Sequence, residues 1–113
     1  MSDKNDVVII NLDRPRVLWY GHSALKKLCA MTGKKLSEFD SLMEDFDFDN
    51  LEKIFFCGLE KDAAIKGETL QLEDVESLLN YGEFHINMAK FYEAWGHTFG
   101  IKKPEESGEE TKN

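Results

Sequence analysis

Residues 7–36 read VVIINLDRPRVLWYGHSALKKLCAMTGKKL, and the change of periodicity within this stretch decides the fold. Val7 to Ile10 are four β-branched residues in a row, and Arg16 to Tyr20 (RVLWY) form a second run of residue types that suit a half-buried pleated surface. Between them NLDRP carries Asp13, which can hydrogen-bond its own backbone two residues on, and Pro15, which cannot donate to a ladder. The segment predicts an antiparallel hairpin over 7–20 with a loop of about four or five residues. Alternation sends Val17 and Trp19 to one face and Arg16, Leu18 and Tyr20 to the other. A lone hairpin is marginal in water, so it must lie against helices or pair its open edge with another chain.

After Gly21 the spacing becomes helical, and it predicts about five helices over 22–99. Ser23 can cap the first, whose apolar face is Leu25, Leu28 and Cys29, and Thr32-Gly33 end it. Ser37 with Asp40 resembles a capping box for a second short helix bearing Phe39, Leu42, Met43 and Phe46. Asp49 with Glu52 repeats that start signal, and a third helix from Asn50 buries Leu51, Ile54, Phe55 and Leu59, with Gly58 either a weak point or a place of close packing. Residues 62–71 (DAAIKGETLQ) mix Gly and charge and read as a loop. A fourth helix is expected over Leu72 to Tyr81, facing Val75, Leu78 and Leu79 inward. The last, Glu83 to Phe99, has the strongest stripe in the chain (Phe84, Met88, Phe91, Tyr92, Trp95, Phe99) and is expected to be the central packing helix.

The fold class expected is therefore mainly α (α+β): one domain over 7–100, hairpin first and a small helical bundle after it. A flexible start over 1–6 and a disordered acidic tail over 101–113 flank it. With 113 residues, 42% of them hydrophobic and eight of them Phe, the chain can bury a real core. A formal charge of −8 argues against gripping nucleic acid by its phosphates and against docking on anionic lipid. The polar start MSDKND gives no signal peptide, and no apolar run is long enough to span a bilayer, so the cytoplasm is the expected location. Cys29 and Cys57 sit among apolar neighbours in expected helices, where reduced thiols act as small core residues.

Tests for chemistry find little. Asp45, Asp47 and Asp49 alternate like the start of a calcium loop, but the sixth position is Asn50 where Gly is needed and the twelfth is Phe56 where Glu is needed. His22, His85 and His97 lie far apart and outside any zinc spacing. No nucleophile elbow, phosphate loop or dinucleotide fingerprint is present. The expectation is no enzyme, no cofactor and no metal.

The form LDRPRxLxY (Leu12 to Tyr20), a small helix ending in TGK-L (Ala24 to Leu36), an acidic stretch, a helix ending in CGL (Leu51 to Leu59) and a final helix pair (with Leu72 to Leu79) together resemble the tail assembly chaperones of long-tailed bacteriophages and prophages of Gram-positive bacteria. The resemblance covers residues 7–100. It implies a non-enzymatic factor that binds the tape-measure protein, keeps it soluble, helps recruit tail-tube subunits and leaves before the virion is finished. It also implies a homo-oligomer, a ring or spiral, and in many such phages a frameshifted longer form, of which this chain would be the short one. An open β edge beside large aromatics singles out Trp19, Tyr20, Leu18 and Arg16 as the interaction residues. The rival expectation is an acidic phage inhibitor that imitates nucleic acid in a basic host groove, supported by the charge and by the run EFDSLMEDFDFDNLE at 38–52.

Overall fold

The computed structural model describes residues 7–39 and 47–100. They form a small α+β domain: an antiparallel hairpin of β1 (Val8–Asn11) and β2 (Pro15–Leu18), then helices α1 (His22–Thr32), α2 (Phe48–Ile65), α3 (Val75–Leu79) and α4 (Phe84–Phe99). The segments 1–6 and 101–113, expected to be flexible, and most of the second expected helix lie outside the described residues. What is described there is one 3-10 turn, Leu36–Glu38, where the Glu38 carboxylate accepts the Lys35 N–H at 2.6 Å.

In the hairpin Val8 faces Leu18, Ile9 faces Val17, Ile10 faces Arg16 and Asn11 faces Pro15, which leaves a loop of only Leu12, Asp13 and Arg14. The loop is shorter than the sequence suggested because Pro15 still serves as a terminal strand residue, where a missing donor does no harm. Alternation holds. Val8, Ile10, Arg16, Leu18 and Tyr20 are buried, while Ile9 and Trp19 face outward with Val17 partly covered.

The central element is α2, and this corrects the expectation for the last helix. From Leu51 to Ala63 it buries residues on nearly every side, because α1, β2 and α3 all pack against it. It starts earlier than expected: Asp47, taken from the acidic run, is its N-cap and accepts the Asn50 N–H at 2.8 Å. It also runs on to Ile65, through a stretch expected to be loop, since Asp62 and Ala63 are buried against the hairpin side. A Schellman turn stops it: Gly67 adopts φ 76°, its N–H bonds the Ala64 carbonyl at 3.1 Å, and Glu68 N–H bonds the Ala63 carbonyl at 2.8 Å.

Helix α1 begins at His22 after Gly21 with no side-chain cap, so Ser23 does not serve as one. At its other end the Gly33 N–H closes on Cys29 as the sequence suggests. In α4 the buried residues are Asn87, Phe91 and Ala94, whereas Phe84, Tyr92 and Phe99 of the aromatic stripe are exposed. The face turned to the core is centred on Asn87, Phe91 and Ala94, to one side of the stripe, so Tyr92 and Phe99 on the stripe's far side stay outside.

Tyr20 joins the layers. Its ring meets Phe91 at 5.6 Å and Trp95 at 5.3 Å, both edge-on, and its hydroxyl donates to the Ile54 carbonyl of α2 at 2.8 Å. The Trp19 N–H donates to the Gly58 carbonyl at 2.9 Å, and the Thr98 hydroxyl donates to the Tyr20 carbonyl at 2.7 Å. The chain leaving β2 is thus held between α2 and α4.

Candidate functional site

Of the four residues singled out from sequence, the structure brings three inside. Leu18 and Tyr20 are each 1% exposed and Arg16 is 4% exposed, so they belong to the core and do not form a surface. The reason is the two-residue period: the face that carries Leu18 and Tyr20 is the one that meets α2 and α4. Trp19 alone faces outward, its indole lying against Gly21 with the Lys61 ammonium 4.1 Å from the ring centroid.

The LDRPR segment forms a closed charge cluster. Arg16 clasps Asp13 with two parallel bonds, Nε to Oδ1 at 2.7 Å and a terminal nitrogen to Oδ2 at 2.9 Å. Arg14 clasps Glu68 in the same manner, with both bonds at 3.1 Å, and reaches Asp62 at 2.6 Å. The Arg16 guanidinium also bonds Glu68 at 3.1 Å. The bond to Arg16 holds the Asp13 carboxyl below its ordinary range, and the bond to Arg14 does the same for Glu68. Both arginines are correspondingly harder to deprotonate. Every charge in this cluster has an internal partner, so it fastens the hairpin loop to the end of α2. Sequence reasoning could not find it, since 48 and 54 positions separate Arg14 from its two carboxylates.

Two apolar features remain outward. The first is the outer face of the hairpin, where the register places Ile9 against Val17 and brings Val7 and Trp19 beside them. The second is a groove of about 480 Å³ between the start of α2, α3 and the start of α4. Leu51, Phe55, Leu79 and Met88 line its depth, and exposed Phe48 and Phe84 flank it. Glu52 and Glu76 stand on it too, and neither has an ion-pair partner among the described residues. Burial, with Glu76 and Asp49 nearby, pushes the Glu52 carboxyl up. The sequence showed the aromatic stripe of α4 but not which part of it stays uncovered.

The remaining chemistry-bearing residues are dispersed. Cys57 is buried with its sulfur 3.6 Å from that of Met31, and burial pushes its thiol up to about 12. Exposed His85 lies 3.6 Å from Glu83, and His97 lies 3.8 Å from Glu93. Among the described residues no group of three or more His, Cys, Asp or Glu is placed to hold a metal ion, and no helix is long and apolar enough to cross a membrane. Asp45, the first residue of the calcium-like run, lies outside the described residues. No protein-family model, curated protein or solved structure matches the chain.

Proposed function

We propose that this domain is a tail assembly chaperone of the long-tailed phage type, acting in the host cytoplasm and leaving before the virion is complete. In this reading it breaks no covalent bonds and uses no cofactor. It self-associates in a ring or spiral, shields the apolar helical faces of the tape-measure protein and hands that chain to tail-tube subunits; it touches neither nucleic acid nor membrane.

The observation that carries the proposal is the outer hairpin face. Val7, Ile9 and Trp19 stay exposed together on a chain whose formal charge is −8. Uncovered apolar surface is a liability unless something is meant to cover it, and strong net charge keeps such a protein soluble while it waits. Correcting the interaction residues sharpens the proposal: Trp19 with Val7, Ile9 and Val17 replaces the set that included Tyr20, Leu18 and Arg16.

The test is co-expression with tape-measure fragments, alongside the mass of the purified protein by light scattering. A loaded, soluble fragment and an oligomer that dissociates in Trp19→Asp are expected. An unchanged oligomer in that variant removes the hairpin from the interface, and failure to keep any fragment soluble removes the function. Salt separates this reading from its rival. Apolar capture survives moderate salt, whereas an acidic inhibitor imitating nucleic acid loses its basic partner.

A further inference from the structure

The groove between α2, α3 and α4 holds a polar atom that the fold leaves unpaired. Asn87 is 4% exposed; its side-chain nitrogen donates to the Leu79 carbonyl at 3.1 Å, and its buried Oδ1 has no hydrogen-bond partner among the described residues. A buried acceptor in this state is costly, and its residue forms part of the groove wall. Gly82 lines the groove with Asn87, and a Cβ on residue 82 would stand 2.5 Å from Oδ1. Glycine at 82 is what lets the Asn87 side chain lie this close to the turn.

We propose that this groove binds an amphipathic helix from a partner protein, with Lys or Arg flanking its apolar face. Three observations choose this occupant. The lining residues come from helices and the turn between them, and no residue of the β1–β2 sheet is among them, so the groove offers no sheet edge to an extended strand and suits an occupant that satisfies its own backbone, as a helix does. The depth is apolar, with Leu51, Phe55, Leu79 and Met88 available to an i, i+3, i+4, i+7 stripe. The carboxylates of Glu52 on α2 and Glu76 on α3 have no ion-pair partner among the described residues, and Glu52 is crowded by Glu76 and Asp49. Basic flanks would relieve that crowding; acidic flanks would worsen it. The proposal rests on the chaperone reading for the kind of partner, a long helical chain, and adds the site and the charge pattern.

The experiment titrates the full chain into a fluorescein-labelled amphipathic peptide of about five helical turns, made once with Lys flanks and once with Glu flanks on one apolar stripe. The Lys peptide is expected to bind about tenfold more tightly, the effect of two partly screened ion pairs. In the doubly substituted Glu52→Gln/Glu76→Gln protein, changed only at side chains without ion pairs among the described residues, the preference should fall to about twofold or less. Met88→Asp should abolish binding of both peptides, with circular dichroism confirming its fold. Equal binding of the two peptides, or a preference that survives the double substitution, overturns the proposal. So does an oligomer that dissociates on Met88→Asp, because a second copy of the chain would then be the occupant. If tape-measure fragments stay soluble while neither peptide binds, the groove proposal fails and the chaperone reading stands. If the peptides behave as expected and no fragment is kept soluble, the groove stands and the chaperone reading fails.

Discussion

Replacing Gly58 by Ala should destabilise the domain, and the sign of that change tests the packing of the hairpin on α2. In an exposed helix interior the same substitution would stabilise by about 1 kcal/mol, since Ala is the better helix former. Here a Cβ would stand 2.6 Å from Cζ and 2.7 Å from the hydroxyl oxygen of Tyr20, and 2.7 Å from a Leu18 methyl. Neither neighbour can yield cheaply. Tyr20 is wedged against Phe91 and Trp95 and bonded to Ile54, and Leu18 is fully buried in the ladder. Overpacking of this kind costs about 1–3 kcal/mol. Pushing β2 away also stretches the bond from Trp19 N–H to the Gly58 carbonyl and that from the Tyr20 hydroxyl to Ile54, each worth about 1 kcal/mol. Set against the helix-propensity gain, the net expectation is a loss of about 1–3 kcal/mol, or a fall in Tm on the order of 10 °C for a domain of this size. Urea unfolding followed by far-UV circular dichroism measures it, and the loss should shrink in a Tyr20→Leu background, where the opposing ring is gone. A Gly58→Ala protein as stable as the parent, or more stable, would refute the close approach and return Gly58 to being a mere weak point in a helix.

Two further outcomes follow from the titrating groups. The folded state holds the carboxyls of Asp13 and Glu68 below their ordinary values of 3.8 and 4.5, so the stability they supply is fully present above those values and is lost as pH falls through and below them. Glu68→Gln should therefore flatten the acid limb of the stability curve relative to the parent; taking the difference between the two proteins cancels Glu52, which acts in the opposite sense because its carboxyl is raised. An acid limb that is identical in both proteins would deny Glu68 its part in the cluster. For the cysteines, a thiol at about 12 instead of 9.0 exposes about a thousandfold less thiolate, so alkylation of the native protein should modify half-buried Cys29 first and Cys57 only as fast as the domain opens. Peptide mapping after brief alkylation reads the order, and prompt modification of Cys57 would contradict its burial.

Much of the architecture was legible because it depends on local patterns. Four β-branched residues, a loop with Asp and Pro and a second β-rich run can hardly form anything but a hairpin, and its alternation separated Trp19 from Tyr20 correctly. What that pattern could not give was which face meets the helices, because both carry large apolar residues; the choice is made by α2 and α4, distant in sequence. The extension of α2 through Asp62 to Ile65 was hidden for a similar reason. Charge and glycine after residue 61 look like a loop until Asp62 finds Arg14, and Gly67 proves to be the stop and not part of a long connection. On α4 the aromatic stripe was read as wholly inward, yet Phe91 is buried while its neighbour Tyr92 is exposed. Asn87, buried at the groove wall, gave no signal at all: one amide in a helix looks like a solvated residue until its surroundings are known.

The residues that carry the family resemblance are, in this domain, devices of folding. Asp13, Arg14 and Arg16 of LDRPR spend their charges on one another and on Asp62 and Glu68, and the Gly58 of CGL admits Tyr20 to α2. Breaking such an internal charge network unfolds a protein more readily than it blinds it, because removing one partner strands another in a poorly solvated place. The likeness therefore bears on architecture more directly than on partners. If the domain acts by covering other polypeptides, selectivity has to come from side chains that the fold does not use: Val7, Ile9, Val17 and Trp19 outside the hairpin, and the uncovered apolar and acidic residues along the groove. Substitutions in the LDRPR charge cluster should lower stability, and substitutions at the outer hairpin face and along the groove should leave stability almost unchanged while altering what is bound. A chain whose LDRPR variants stayed folded but lost partners, and whose Trp19 and groove variants lost neither, would reverse this assignment.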